Sequence, residues 1–219
     1  MEKRKRDTQW GMLLEHTKER LGEKAFSQDY ERACRILEKR LLDMNEKAYA
    51  QLGRELISSV EWRVKTPESC VNKLLRKGKR PTLENARERL NDIAGVRVVC
   101  SFLDDIYQLC RRMAYDYEFE FVKQKDYVKH PKSSGYQSLH LIVRVPVGES
   151  RKVRAEIQFR TQAMDFWACV EHHFVYKGGK GASQMCQIHL PYRQENDEHP
   201  KQNGGGECSV FIKTLYFCP

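Results

Sequence analysis

The chain has 219 residues, 40% of them hydrophobic, enough for one well-cored domain or for one domain with an appendage. Its net charge of +9 favours polyanionic partners such as nucleotides, nucleic acid or an anionic membrane; the 30 acids mixed among 39 bases also fit a well-solvated surface. None of the eight cysteines forms a C-x-x-C pair, no apolar core follows the start MEKRKR, and no segment is apolar enough to span a bilayer, which argues against a zinc site, secretion and membrane insertion and predicts a cytoplasmic protein with reduced thiols.

Residues 10–60 read as helical, because Ile36, Leu37, Leu41, Leu42 and Met44 recur among charges as one apolar stripe. The basic start, Lys3 to Arg6, fits a frayed terminus or weak contact with RNA. In TPESCVNKLLRKGKRP (66–81), Thr66 is placed to cap a helix, Pro67 suits its first position and Glu68 its positive end, while Gly78 and Pro81 stop it. DIAGVRVVCSF (92–102) reads as a buried strand, rich in Val and Ile. Ile106, Leu109, Cys110, Met113 and Ala114 then follow helical spacing, with Asp104 and Asp105 at the start.

Residues 117–123 and 138–146 read as further strands. VRAEIQFR (153–160) alternates cleanly: Val153, Ala155, Ile157 and Phe159 point one way, Arg154, Glu156, Gln158 and Arg160 the other. A helix over 161–176 follows, carrying Met164, Trp167, Ala168, Val170 and Val175. Strands with flanking helices predict the α+β class, a mixed or antiparallel sheet with helices mainly on one face. Beyond residue 177 periodicity ends, and GGKG and GGG punctuate a polar stretch. The expected organisation is an N-terminal helical segment (1–59), a central domain (60–177) and an irregular, poorly ordered tail (178–219).

Four constellations carry chemistry. Arg63 and Lys65 precede the helix that Thr66 opens, and Ser69, Lys73 and Arg76 lie on it. Cations beside free N–H groups suit a phosphate, although a basic surface helix has the same composition. Asp92 stands at the threshold of a strand that carries Arg97 inside a β-branched run, where an unpaired charge is costly and an acidic or phosphate partner is expected. Glu156 and Gln158 share a strand face with Arg154 and Arg160; the face is either solvated or, with a second carboxylate opposite, able to hold Mg2+ beside phosphates. In KSSGYQSLH (132–140), Tyr136 follows a glycine and can stack on a base or merely start a strand, and His140 falls on the polar face of the strand over 138–146.

Together these segments resemble the synthetase domain of the RelA/SpoT family, and most of all the stand-alone small alarmone synthetases of bacteria. The resemblance runs over 60–177 and is carried by RVKTPES (63–69), DIAGVR (92–97), KDYV (125–128), GYQSLH (135–140), EIQFRT (156–161) and MDFWA (164–168) with Glu171 and His172, in the family's order. It implies a nucleotidyltransferase-like fold and a GTP pyrophosphokinase without a hydrolase domain. Such an enzyme moves pyrophosphate from ATP to the 3′-hydroxyl of GDP or GTP, giving AMP and the alarmone (p)ppGpp. By the same resemblance Asp92 and Glu156 are the catalytic carboxylates and hold Mg2+. Arg63, Lys65, Ser69, Lys73, Arg76 and Arg97 meet ATP; Lys132, Tyr136, His140 and Gln158 meet GDP or GTP, with Tyr136 stacked on guanine. Similar proteins self-associate as homotetramers through helices after this region, and residues 178–219 show no such pattern. Ser58 and Ser59 stand where the allosterically stimulated branch has an acidic–aromatic pair. The competing reading is a catalytically weakened, basic nucleotide- or RNA-binding relative.

Overall fold

The computed structural model describes residues 2–177; the tail over 178–219, and the expectation that it is poorly ordered, lie outside the described residues. Two long helices come first, α1 (Glu2–Gly22) and α2 (Lys24–Leu52), followed by β1 (Ile57–Val64). The sequence predicts helix through residue 60, but α2 stops earlier. Gly53 takes the left-handed conformation at φ 68° and its N–H returns to the Tyr49 carbonyl, a common helix stop. Asn45 Oδ1 then accepts from the backbone N–H of both Leu56 and Ile57 at 2.9 Å, which turns the chain into β1. The expected boundary at 59/60 therefore falls inside a strand.

Next come α3 (Pro67–Arg76), α4 (Leu83–Arg89), β2 (Ala94–Cys100), α5 (Leu103–Ala114), β3 (Glu120–Asp126), β4 (Leu139–Pro146), β5 (Lys152–Thr161) and α6 (Gln162–Lys177). Thr66 caps α3, its side chain accepting from the Ser69 N–H, with Pro67 in the first turn. The short α4 has no counterpart in the sequence reading; Thr82 caps it by accepting from the Asn85 N–H. β3 begins at Glu120 rather than 117, because Asp116 draws the Glu118 N–H onto its carboxylate and the Phe119 N–H onto its carbonyl, making a turn first.

The five strands form one mixed sheet in the order β1-β2-β5-β4-β3, with β2 and β5 parallel and every other neighbouring pair antiparallel. Val98, Phe159 and Leu139 lie side by side in the register, as do Val96, Ile157 and Leu141. These residues face Leu37 and Leu41 of α2 and Ile106, Leu109 and Met113 of α5 in a single core. The N-terminal helices thus share the sheet's core. Full burial of each Leu or Phe there contributes about 1.5–3 kcal/mol, so one face of the sheet is committed to stability and the other is left for chemistry.

Candidate active site

The register puts the polar side chains of the second face into rows. One row crosses all five strands: Glu61, Arg97, Gln158, His140 and Lys125. The next contains Arg63, Gly95, Glu156, Ile142 and Lys123. Residues from five separate segments of sequence meet because strand pairing brings alternate side chains to one side.

Asp92, just ahead of β2, lies at one end of this face. Its Oδ2 accepts from Lys73 Nζ at 2.6 Å and from Lys65 Nζ at 3.1 Å. Lys65 is placed by the end of β1, where its N–H donates to the Ile93 carbonyl at 2.8 Å, and Lys73 projects from α3. Burial pushes the Asp92 carboxyl up, but the two ammonium groups, Lys73 foremost, outweigh it and hold the group below the ordinary carboxylate value. The other oxygen, Oδ1, is buried without a hydrogen-bond partner. A buried acceptor with no donor is costly unless something else meets it.

Glu156 sits inside the sheet with 12% of its side chain exposed. Its Oε1 lies 3.3 Å from His140 Nδ1, and its Oε2 accepts from Gln158 Nε2 at 2.9 Å. Burial pushes this carboxyl up as well; His140 and then Gln158 outweigh it, and the Asp92 charge opposes them, leaving the group below its ordinary value. His140 Nε2 is 2.9 Å from the Tyr136 hydroxyl. Arg160 Nη2 donates to that hydroxyl at 2.7 Å and to Gln158 Oε1 at 2.8 Å. Asp165, in the first turn of α6, braces Arg160 at 2.9 Å and Arg97 at 3.3 Å.

The loop before β4 folds on itself. The Gly135 N–H donates to the Lys132 carbonyl and the Lys132 N–H to the Tyr136 carbonyl, with Gly135 at φ 81°, where a side chain would be strained. This closure brings the Lys132 ammonium 4.3 Å from the Tyr136 ring centroid. Tyr136 is only 8% exposed, and the Arg160 guanidinium also lies over its ring, 5.1 Å from the centroid.

Three cavities surround these side chains and the start of α3. A cleft of about 590 Å3 is lined by both carboxylates together with Lys73, Lys132, Tyr136, His140, Gln158 and Arg97. A hollow of about 110 Å3 lies above Gly95 between Arg63, Asp92, Arg97 and Glu156. A groove of about 670 Å3 runs along the start of α3, lined by Arg63, Lys65, Ser69 and Arg76. Arg63 borders all three. The residues expected from sequence are thus gathered, but Ser69 and Lys73, placed on one helix face by spacing, open onto different cavities. Ser69 Oγ also accepts from the Thr66 hydroxyl, at 2.8 Å.

Sequence reasoning leaves out Gly95, Arg160 as a member of the site, and Asp165. Arg160 is noted there only as part of a polar strand face. The available signal was its position two residues beyond Gln158 on a strand whose other face is wholly apolar. Among the described residues no cluster of three or more His, Cys, Asp or Glu side chains could hold a metal by itself.

Residues 62–181 match the profile described as the region found in RelA / SpoT proteins. GTP pyrophosphokinase YwaC of Bacillus subtilis (strain 168) is 48% identical over 128 residues, 57% of this chain; the chain spans 61% of that relative's length. The crystal structure of small alarmone synthetase 2 from Bacillus subtilis aligns with a TM-score of 0.68 and 35% identity, covering 80% of this chain and 94% of that one. Small alarmone synthetase 1 from the same organism, bound to its product pppGpp, aligns with a TM-score of 0.65 and 30% identity, covering 81% of this chain and 100% of that one. With its sheet order, its two carboxylates and its cation-lined clefts in place, the chain belongs to the RelA/SpoT family.

Proposed function

We propose that the protein transfers pyrophosphate from ATP to the 3′-hydroxyl of GDP or GTP, releasing AMP and forming (p)ppGpp. One observation carries this reading: Asp92 and Glu156 line the same cleft, one clamped by the lysines of the phosphate-binding segment, the other joined to the residues of the acceptor loop. The names of the relatives, GTP pyrophosphokinase and small alarmone synthetase, support the same chemistry, as does the product held by one of them.

The groove at the start of α3 receives ATP. Lys65, Arg63 and Arg76 meet its phosphates at the positive end of α3, and Lys73 and Arg97 reach the transferred group from the cleft. On the acceptor side Tyr136 offers its ring to guanine, and Lys132, displaced from that ring, turns to the acceptor's phosphates. The acceptor oxygen bonds to the β-phosphorus of ATP, the bond from that phosphorus to the oxygen bridging it to the α-phosphate breaks, and AMP leaves with the bridging oxygen. The 3′-hydroxyl proton passes to Glu156, general-base help typically worth about 10²–10⁴-fold.

A divalent cation fits this site. Asp92 Oδ1 is a buried hard ligand without a partner, Glu156 is the second carboxylate, and two carboxylates plus phosphate oxygens and water suit Mg2+. When bound, Mg2+ offsets the negative charge on the transferred pyrophosphate. The setting we infer is the cytosol. The described cysteines form no disulfide, and among the described residues no helix is long and apolar enough to cross a membrane.

The test is to incubate the protein with ATP, Mg2+ and GDP or GTP and to separate the nucleotides by anion exchange. AMP and a guanine nucleotide carrying two more phosphates are expected in equal amounts. Glu156→Gln should lose about 10²-fold or more in turnover while both nucleotides still bind by calorimetry. Release of inorganic phosphate or pyrophosphate without the new guanine nucleotide would refute the proposal.

A further inference from the structure

Five side chains of the site close a hydrogen-bonded ring, and their chemistry gives the ring a direction. Arg160 Nη2 donates to Gln158 Oε1 at 2.8 Å and to the Tyr136 hydroxyl at 2.7 Å. A guanidinium has donors only, so both partners must accept from it. The Gln158 amide is thereby oriented with its nitrogen toward Glu156 Oε2, 2.9 Å away. The Tyr136 oxygen accepts from Arg160 on one lone pair; because the Glu156 carboxylate beside Nδ1 can only accept, a neutral His140 keeps its proton there, and the Tyr136 hydroxyl proton goes to Nε2 at 2.9 Å. An imidazole nitrogen that accepts leaves the ring proton on the other nitrogen, so Nδ1–H faces Glu156 Oε1 at 3.3 Å. Two branches leave one pure donor and end on the two oxygens of one pure acceptor.

We propose that Arg160 is a positioning residue that sets the direction of both branches, and that the Tyr136 hydroxyl carries it to His140. Arg160 lines the cleft, but both of its terminal nitrogens are committed to neighbouring side chains. Only 6% of its side chain is exposed, and its other end is held by Asp165 Oδ1 at 2.9 Å. Tyr136 then has two separable parts. Its ring serves guanine, and its hydroxyl keeps His140 in the tautomer that donates to Glu156. The catalytic consequence rests on the reading of Glu156 as the group that receives the acceptor's proton. Without the hydroxyl, Nε2 loses the donor that occupies its lone pair, and the pull of Glu156 Oε1 on Nδ1–H is the one restraint the ring keeps against a proton on Nε2. Nδ1 would then turn a lone pair toward the carboxylate and leave Oε1 without its donor, a repulsive arrangement that frees the carboxylate to rotate.

The experiment uses the full chain labelled with 15N-histidine. Two-bond 1H–15N correlation spectra separate the two neutral tautomers from the cation, and the His140 signals are identified by their loss in His140→Asn. The wild-type protein at neutral pH should show His140 protonated on Nδ1 alone. Tyr136→Phe keeps the ring and the volume; it should shift His140 wholly or partly to the Nε2 tautomer. Its kcat should fall about tenfold, the order expected for one buried hydrogen bond, with KM for the guanine nucleotide changed less than about twofold. Arg160→Lys should shift the same signals, because one ammonium lacks the planar fork that serves both branches. A wild-type His140 protonated on Nε2, or on both nitrogens, would overturn the proposal. So would a Tyr136→Phe protein with unchanged kcat, or with only its KM raised. An inactive wild-type protein would instead refute the proposed function, and the spectra would still decide the direction of the ring.

Discussion

Gly95→Ala should make the protein more stable and less active at once. Gly95 is the second residue of β2, paired on both sides, opposite Arg63 on one and Glu156 on the other. It is not among the described glycines with positive φ, so its backbone does not require glycine. A Cβ built there would meet nothing nearer than the Arg63 carbonyl oxygen at 3.8 Å and Arg63 Cγ at 4.0 Å, which are ordinary contacts. Neither conformation nor packing explains the missing side chain. Above it lies the hollow of about 110 Å3 between Arg63, Asp92, Arg97 and Glu156. Replacing glycine by alanine within a strand gains roughly 0.5–1 kcal/mol. For a chain of this size that is an increase in melting temperature of about 1–4 °C. The added methyl narrows the hollow between the two carboxylates where we propose the cation sits, and a displacement of the reacting groups by about 1 Å costs up to about 10²-fold. The measurements are a thermal melt, kcat/KM for ATP, and calorimetry with a non-hydrolysable ATP analogue and with GDP. Turnover should drop roughly 10- to 100-fold with GDP affinity preserved. A lower melting temperature would show that packing does demand glycine, and unchanged turnover would show that the hollow is not used.

Two further outcomes concern stability. Asp105 is 1% exposed, forms two hydrogen bonds to Arg54 and caps α5 by accepting from the Phe102 N–H; Arg54 is 43% exposed and rehydrates when released, so Asp105→Ala should cost about 1–3 kcal/mol in a denaturant titration, and a smaller loss would mean that the pair adds little to the fold. Asp92 and Glu156 hold their carboxyls below the ordinary values of 3.8 and 4.5, so the stability they contribute is full above those values and is lost as pH falls through the lowered native ones; the melting temperature should decline below about pH 4.5, less steeply in Asp92→Asn and Glu156→Gln, and equal slopes in all three proteins would place the acid sensitivity elsewhere.

Much of this site was legible because local rules placed it. Alternation in VRAEIQFR puts Glu156, Gln158 and Arg160 on the face opposite Ile157 and Phe159, and the register confirms that face as the polar one. Thr66 and Pro67 announce the start of α3, and the structure caps it as read. Gly53, Thr82 and Asp116 are local stop, cap and turn signals; the other failures depend on contacts between segments that only the fold brings together. Nothing near residue 53 shows that Asn45 will accept from Leu56 and Ile57 and pull β1 out of the helical pattern. Arg160 is one of four polar residues on its strand until Tyr136 and Asp165 arrive from a loop and from α6. Gly95 says nothing until Arg63 and Glu156 are seen on either side of it. The blocks that carry the family resemblance supply what alternation cannot, since they mark which polar residues of a face belong together.

The two carboxylates share a cleft, but removing the charge from each has different consequences, and that supports the separate roles proposed for them. If Asp92 took a proton, Lys65 and Lys73 would lose the carboxylate that pairs them at a largely buried position, and two neighbouring ammonium groups would be left to repel each other. If Glu156 took a proton, its neighbours in the proposed arrangement, the His140 imidazole and the Gln158 amide, would face a neutral acid in place of an anion. The loss is then a weakening of two hydrogen bonds between groups that remain hydrogen-bonded, with no cation left exposed to another. Proton transfer to Glu156 is therefore the less costly of the two. Asp92 is suited to stay charged through the reaction, anchoring cations and a metal through Oδ1. Glu156, surrounded by neutral donors whose direction Arg160 sets, is suited to gain and release a proton in each cycle.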